Sequence, residues 1–128
     1  MPVAALMRQL GYDVPAGEVE GRLRRLDARR AVLLGLRDGE IAGWVGVCVD
    51  EDVVAGLCGF IEGFVVDEAV RGEGIGERLL ESAETWVRAR GASLLRVQSN
   101  VVRERAHAFY ERHGFEKVKA QYQLRKAL

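Results

Sequence analysis

The spacing of hydrophobic positions changes several times along the chain, and each change marks an element. Val3, Leu6, Met7 and Leu10 recur at helical spacing behind Pro2, a residue suited to a first helical turn, and Gly11 closes the run. After Tyr12-Asp13-Val14-Pro15 a second helix is predicted over 16–26, with Val19, Leu23 and Leu26 as its apolar stripe. The period then shortens. Residues 31–36 form a short apolar run, and Asp38-Gly39 is a strong two-residue hairpin signal. Residues 41–49 are apolar at both alternating sets of positions, which predicts a central strand covered on both faces. Asp50-Glu51-Asp52 reads as a loop, and 57–67 as a second long strand, interrupted by Glu62 and Gly63.

A glycine cluster follows, Arg71-Gly72-Glu73-Gly74-Ile75-Gly76. It opens into a helix whose apolar positions are Ile75, Leu79, Leu80, Ala83, Trp86 and Val87, and Gly91 ends it. Residues 93–99 read as a strand. Residues 103–113 read as a helix with Ala106, Phe109, Tyr110 and His113 on one side, stopped by Gly114. Two short closing strands are expected at 115–119 and 121–125. This order predicts a mixed α/β fold: an antiparallel hairpin part joined to one strand-helix-strand crossover.

Composition narrows the function classes. Nineteen basic residues balance nineteen acidic ones over 128 residues, so the formal net charge is zero. Nucleic-acid and polybasic membrane binders work through excess positive charge, so neither class of partner is expected. The length suits one domain, 1–128, with a core large enough to need no disulfide or metal staple. No segment approaches the ~20 apolar residues that cross a bilayer, and the first residues lack the plan of a signal peptide. A cytoplasmic location is the expectation. Cys48 and Cys58 sit in apolar surroundings at a spacing that suggests neither a zinc site nor a redox pair, so both are expected to be buried and reduced. Glycine is the outlier, with 15 residues.

A strand, a glycine-rich turn and a helix start together make an anion site. The first turn of a helix leaves backbone N–H groups unpaired at the positive end of the dipole, and glycine lets a phosphate come close. A Walker loop needs Lys-Ser/Thr after the last glycine, but Glu77-Arg78 stands there. A dinucleotide fingerprint needs glycine at its sixth position, which is also Glu77. The loop, led in by Phe64-Val65-Val66-Asp67, instead resembles that of the GNAT superfamily of acyl-CoA-dependent N-acetyltransferases. A second block is similar to the family's later strand-helix-strand region. It is Ser99-Asn100 followed by Ala106-His107-Ala108-Phe109-Tyr110-Glu111-Arg112-His113-Gly114-Phe115. The resemblance covers the chain from about Ile41 onward.

The resemblance implies a GNAT-like acyltransferase fold, a central mixed sheet whose fourth and fifth strands, in the family's count, splay apart to admit the pantetheine arm of acetyl-CoA. The backbone of Phe64, Val65 and Val66 would pair with that arm, and the amides of Arg71, Gly72, Glu73, Gly74, Ile75 and Gly76 would cradle its pyrophosphate. Asn100, at the end of the next strand, would contact the cofactor or hold a water, and Phe109 would line the groove. A backbone N–H near Phe64 or Val65 would stabilise the oxyanion, and Tyr110 would be the general acid. Members with a carboxylate base on this strand carry it where Phe60 stands here. Strand alternation puts Phe60, Glu62 and Phe64 on one face, so Glu62 could serve from a shifted position, its base character raised by an apolar strand. Ordered water is the alternative base, and no metal is expected.

The implied activity is transfer of an acetyl group from acetyl-CoA to a primary amine of a small molecule or peptide. The alternatives are a non-catalytic acyl-CoA-binding or sensor domain on the same fold, and an interaction module with an empty groove. Arg22, Arg24, Arg25, Arg29 and Arg30 are interleaved with Glu18, Glu20 and Asp27 and read as a solvated face. His107 reads as surface, His113 as a helix-end residue, and Trp44 and Trp86 as core. Family members begin with a strand before the first helix, whereas the helical pattern here starts at Val3, so that strand is expected to be missing. The edge at 31–36 would then be bare, and bare edges recruit partners, so a homodimer is expected.

Overall fold

The computed structural model describes residues 1–128. Two helices, α1 (Pro2–Gln9) and α2 (Ala16–Arg24), precede three strands, β1 (Arg30–Arg37), β2 (Glu40–Asp52) and β3 (Gly56–Val66). A 3-10 turn (Glu68–Val70), α3 (Ile75–Ala89), β4 (Leu95–Val97) and α4 (Glu104–Arg112) follow. The sheet order is β1-β2-β3-β4, with the first two pairings antiparallel and β3–β4 parallel. This is the mixed sheet expected from the hydrophobic pattern. The chain divides into two compact units, residues 1–97 and 98–128.

In the first unit the hairpin forms where Asp38 and Gly39 take φ of 52° and 80°. Two successive positive φ values match the twist of the flanking strands. β2 is the central strand, and residues 42–49 are all buried, as its double-faced apolar pattern requires. One face carries α3. Side chains of this helix press on the sheet where it has no side chain of its own: a Cβ on Gly59 would stand 2.5 Å from Val87, and one on Gly35 2.9 Å from Ile75. The other face carries α1 and α2, whose Val3, Ala4, Leu6 and Val19 cluster with Trp44 and Val65. The apolar stripe of α3 buries Ile75, Leu79, Leu80, Ala83 and Val87, and a side chain like Leu80 contributes about 2–3 kcal/mol by leaving water.

Several expectations need correction. Asp50, Glu51 and Asp52 are not a loop but the end of β2, paired with Cys58, Leu57 and Gly56. Their charged side chains reach solvent while the backbone keeps its ladder. The turn lies one step later, where the Asp52 carboxylate accepts hydrogen bonds from the Val54 and Ala55 amides. α2 stops at Arg24, so Leu26 falls beyond the stripe and is exposed. β4 is shorter than the 93–99 expected. Trp86 is half-buried, with the Arg90 guanidinium stacked 3.6 Å from its ring, whereas Trp44 is core. Cys48 and Cys58 are both free and buried. No helix is long and apolar enough to cross a membrane.

The second unit holds α4 and the tail. The half-buried Ala106, Phe109 and His113 flank the buried Tyr110, so the predicted stripe forms. The closing strands at 115–119 and 121–125 do not form. Val118, Tyr122 and Leu124 are exposed there, so ordering them gains no apolar burial, and a short hairpin without a covered face is not stable alone.

Candidate functional site

β3 carries the first part of the site. Its ladder with β4 covers only Gly59, Ile61 and the residue between them, opposite Leu95–Val97. β3 runs on to Val66 paired with β2 alone, so the two parallel strands part after Ile61. The separation coincides with a bulge. Val47 faces Ile61 and Gly46 faces Gly63, which leaves Glu62 as an extra residue.

That extra residue overturns the alternation expected for this strand. Phe60 lies opposite Cys48, and Phe64 opposite Val45, so the two phenylalanines face opposite sides of the sheet. Glu62 stays with Phe60, on the face carrying α1 and α2. It is also not a lone carboxylate among apolar neighbours. Its Oε1 accepts a hydrogen bond from Arg30 Nε at 3.0 Å, and both side chains are 43% exposed. The Cys48 thiol beneath is pushed up to about 12, first by burial and then by its hydrogen bond to Glu62, and so stays protonated. Gly63 is glycine for space: a Cβ there would stand 2.7 Å from the Trp44 ring.

β3 then delivers the chain to the glycine loop. The Asp67 amide donates to the Ala42 carbonyl at 2.7 Å. The Asp67 carboxylate accepts from the Ala69 amide at 3.1 Å and from Gln9 Nε2 at 3.3 Å, and these donors hold it below the usual carboxylate range. Gln9 in turn accepts from the Glu68 amide at 3.0 Å. Arg71 Nε donates to the Val66 carbonyl at 3.3 Å. Gly72 and Gly74 take φ of 87° and 84°, and nothing lies within 4 Å of where a Cβ would be. These glycines serve backbone conformation and leave the approach open. Gly74 caps α3 without a side-chain hydrogen bond, so the first amides of the helix, Ile75 and Gly76 among them, have no helical partner. The Ile75 side chain is buried, so only its backbone faces outward. Glu73 would oppose an anion here, but Arg37 Nε donates to its carboxylate at 2.7 Å. That pairing raises the Arg37 pKa.

Three positioning residues were not legible in the local spacing: Gln9, Arg30 and Arg37. Each meets its partner across 32 to 59 positions of sequence, and no motif encodes such pairs.

In the second unit Asn100 lies beyond the end of β4, in a turn rather than at a strand terminus. Its side-chain oxygen accepts from the Val102 amide at 3.1 Å. His107 is half-buried rather than superficial, and its Nε2–H donates to the Asn100 carbonyl at 2.8 Å. Phe109 and Tyr110 meet edge to face at 5.7 Å, and Tyr110 meets Phe115 at 5.3 Å. Burial raises the Tyr110 pKa.

A mixed sheet that parts beside a bulge, followed by an open glycine loop at a helix start, defines an acyltransferase type of fold. The chain belongs to the acetyltransferase (GNAT) family, whose model matches residues 6–115 and so runs through both units. It is 36% identical over 97 residues to an aminoglycoside N(6')-acetyltransferase type 1 of Stenotrophomonas maltophilia, an alignment covering 72% of this chain and 63% of that protein. It is 35% identical over 104 residues to an aminoalkylphosphonate N-acetyltransferase of Salmonella typhimurium, covering 80% of this chain and 66% of that one. The chain thus spans just under two thirds of the length of these relatives. Among solved structures, AAC(6')-Iy in complex with a bisubstrate analogue, CoA-S-monomethyl-acetylneamine, matches with a TM-score of 0.84 at 20% identity. That match covers 98% of this chain and 89% of the other.

Proposed function

We propose that the chain, acting as one domain over 1–128, is an N-acetyltransferase that moves an acetyl group from acetyl-CoA to a primary amine of a small molecule or peptide. The observation that carries this reading is the parting of β3 from β4 after Ile61, on the strand that leads directly into the open glycine loop. A strand that loses its neighbour offers backbone groups to an extended amide-bearing arm. The amides of residues 71–76, the start of α3 and the Arg71 side chain suit a pyrophosphate. Both named relatives are N-acetyltransferases, and the matched AAC(6')-Iy structure holds a CoA analogue.

When bound, acetyl-CoA supplies a thioester, an acyl carbon open to attack with a thiol as leaving group. The backbone of Phe64, Val65 and Val66 orients the arm, and an N–H at Phe64 or Val65 meets the charge that develops on the carbonyl oxygen. Glu62, directly or through an ordered water, takes the proton from the incoming ammonium. The C–N bond forms as the C–S bond breaks, Tyr110 gives its proton to the departing sulfur, and the surplus proton on the acylated nitrogen returns to the Tyr110 phenolate, which leaves a neutral amide and a free thiol. Burial keeps the Tyr110 phenol protonated at neutral pH, as a proton donor requires. Asn100 and Phe109 keep, in this reading, the cofactor-binding roles that the family resemblance implies. The reading also includes a cytoplasmic location; it includes a homodimer as well, and the β1 edge, where Leu34 and Leu36 are 48% and 54% exposed, supports that second part.

The test is a screen of primary amines for thiol release from acetyl-CoA, with a Tyr110→Phe variant alongside. Release with at least one amine, and a kcat lowered by about a hundredfold in the variant, is expected. Binding of acetyl-CoA without release from any amine would favour a sensor on the same fold. An unchanged kcat in the variant would remove Tyr110 from the chemistry.

A further inference from the structure

The Arg30–Glu62 pair is only half used. Arg30 spends its Nε on Glu62 at 3.0 Å, and its two terminal nitrogens have no hydrogen-bond acceptor in the protein. Glu62 accepts that bond on Oε1 and interacts with the Cys48 thiol below it, and its side chain is 43% exposed. Both side chains are close to half exposed, so neither is sealed in the core. The pair spans the sheet from β1 to β3, across β2 at Cys48 and beside Gly46. A Cβ on Gly46 would meet the Glu62 Cβ at 3.8 Å and the Trp44 ring at 3.4 Å, so the missing side chain leaves the pair room. The next cation, Arg29, is engaged with Asp27 at 3.4 Å and Asp50 at 3.9 Å. What remains is one guanidinium fork and one carboxylate side by side, the carboxylate on the strand where the proposed thioester pocket begins.

Chemistry complementary to such a pair is a small molecule carrying both charges. Its ammonium would meet Glu62, and its acid would take two parallel hydrogen bonds from the unused edge of the Arg30 guanidinium. A simple amine would leave that edge to water, and a polycation would meet Arg30 with a like charge. The partly exposed ion pair is worth little by itself, so exchanging it for two contacts with a ligand costs little.

We infer that Arg30 and Glu62 form a recognition site for a zwitterionic acceptor, an amine with a carboxylate or phosphonate a few bonds away. This rests on the acetyltransferase reading and narrows its substrate class. Arg30 binds the acid and orients the molecule, and Glu62 receives the amine to be acetylated.

The experiment measures kcat/KM by thiol release from acetyl-CoA for two matched pairs: β-alanine against propylamine, and aminomethylphosphonate against methylamine. The expected result is a preference of at least about tenfold for one or both zwitterions, the arm that responds telling carboxylate from phosphonate. Arg30→Ala should bring the zwitterion-to-amine ratio close to one. Arg30→Lys keeps the charge and loses the fork, and should lower the ratio at least about threefold; it also serves if the alanine variant does not fold. Equal use of each zwitterion and its matched amine by the wild type would overturn the site while leaving the acetyltransferase standing. So would an Arg30 variant that slows both members of a pair in proportion. No thiol release from these or any other amine would remove the parent reading, and this site with it.

Discussion

The bulge at Glu62 lies within β3 and the glycine loop follows a short turn beyond the end of that strand, and the two are built in opposite ways. The loop works through backbone. Gly72 and Gly74 hold left-handed conformations in open space, and Gln9 on Asp67 and Glu68, with Arg37 on Glu73, braces the surroundings. The bulge works through side chains. It exists because β2 and β3 fall out of step by one residue, and that residue is turned onto the face of Arg30 and Cys48. A backbone site tolerates many neighbours and suits a cofactor that never varies. A side-chain site changes with each substitution and suits the choice of acceptor.

This contrast can be broken at either end. Gly63→Ala is the largest perturbation. Its Cβ would enter the Trp44 ring space at 2.7 Å, and overpacking of this kind costs about 1–3 kcal/mol. Urea unfolding should show the loss, and a second change that shrinks Trp44 should recover part of it. Unaltered stability would mean that the ring moves freely and that packing does not hold the bulge. Gly74→Ala has no such clash, so stability should fall less, by about 1 kcal/mol from the strained conformation. Its stronger signature is a KM for acetyl-CoA raised about tenfold at little change in kcat. A fall in kcat alone would contradict the backbone character of the loop.

Arg37→Ala is smaller again. It leaves Glu73 uncompensated beside the proposed pyrophosphate, and KM for acetyl-CoA should rise about threefold at low salt, less as salt screens the charge. Glu73→Gln on top of it should reverse the loss. The smallest effect is in pH. The Tyr110 pKa is raised in the folded state by burial, so the unfolded chain gives up this proton first as pH climbs. The contribution is fully present below the unfolded value near pH 10, and is lost as pH rises from there through the folded value. The decline of stability in alkali should therefore be shallower in Tyr110→Phe than in the wild type.

The same contrast explains what could be read from the amino-acid sequence. The loop was legible because its determinants are contiguous: a strand, three glycines and a helical stripe in fixed order. The hairpin at Asp38-Gly39 and the central burial of β2 were legible for the same reason. The bulge was not. Glu62 and Gly63 stand out within an apolar run, yet which face each side chain takes depends on the register of a neighbouring strand. Simple alternation therefore put Phe64 on the wrong side. The Arg30–Glu62 and Arg37–Glu73 pairs depend on folding across three strands or from hairpin to loop. The tail misled in another way. Val118, Tyr122 and Leu124 have the composition of strands, but composition gives no ladder without a covered face to pack on.

The sheet also carries a consequence for how the protein assembles and opens. β1, β2 and β3 form a meander of neighbours in sequence, so closing it needs only short loops. β4 arrives only after the chain has passed through the glycine loop and all of α3, and it docks on β3 over three residue pairs. The β3–β4 ladder is thus the last part of the sheet to form and the first to let go. Amides of β3 and β4 at this short ladder should exchange with solvent faster than those between β2 and β3.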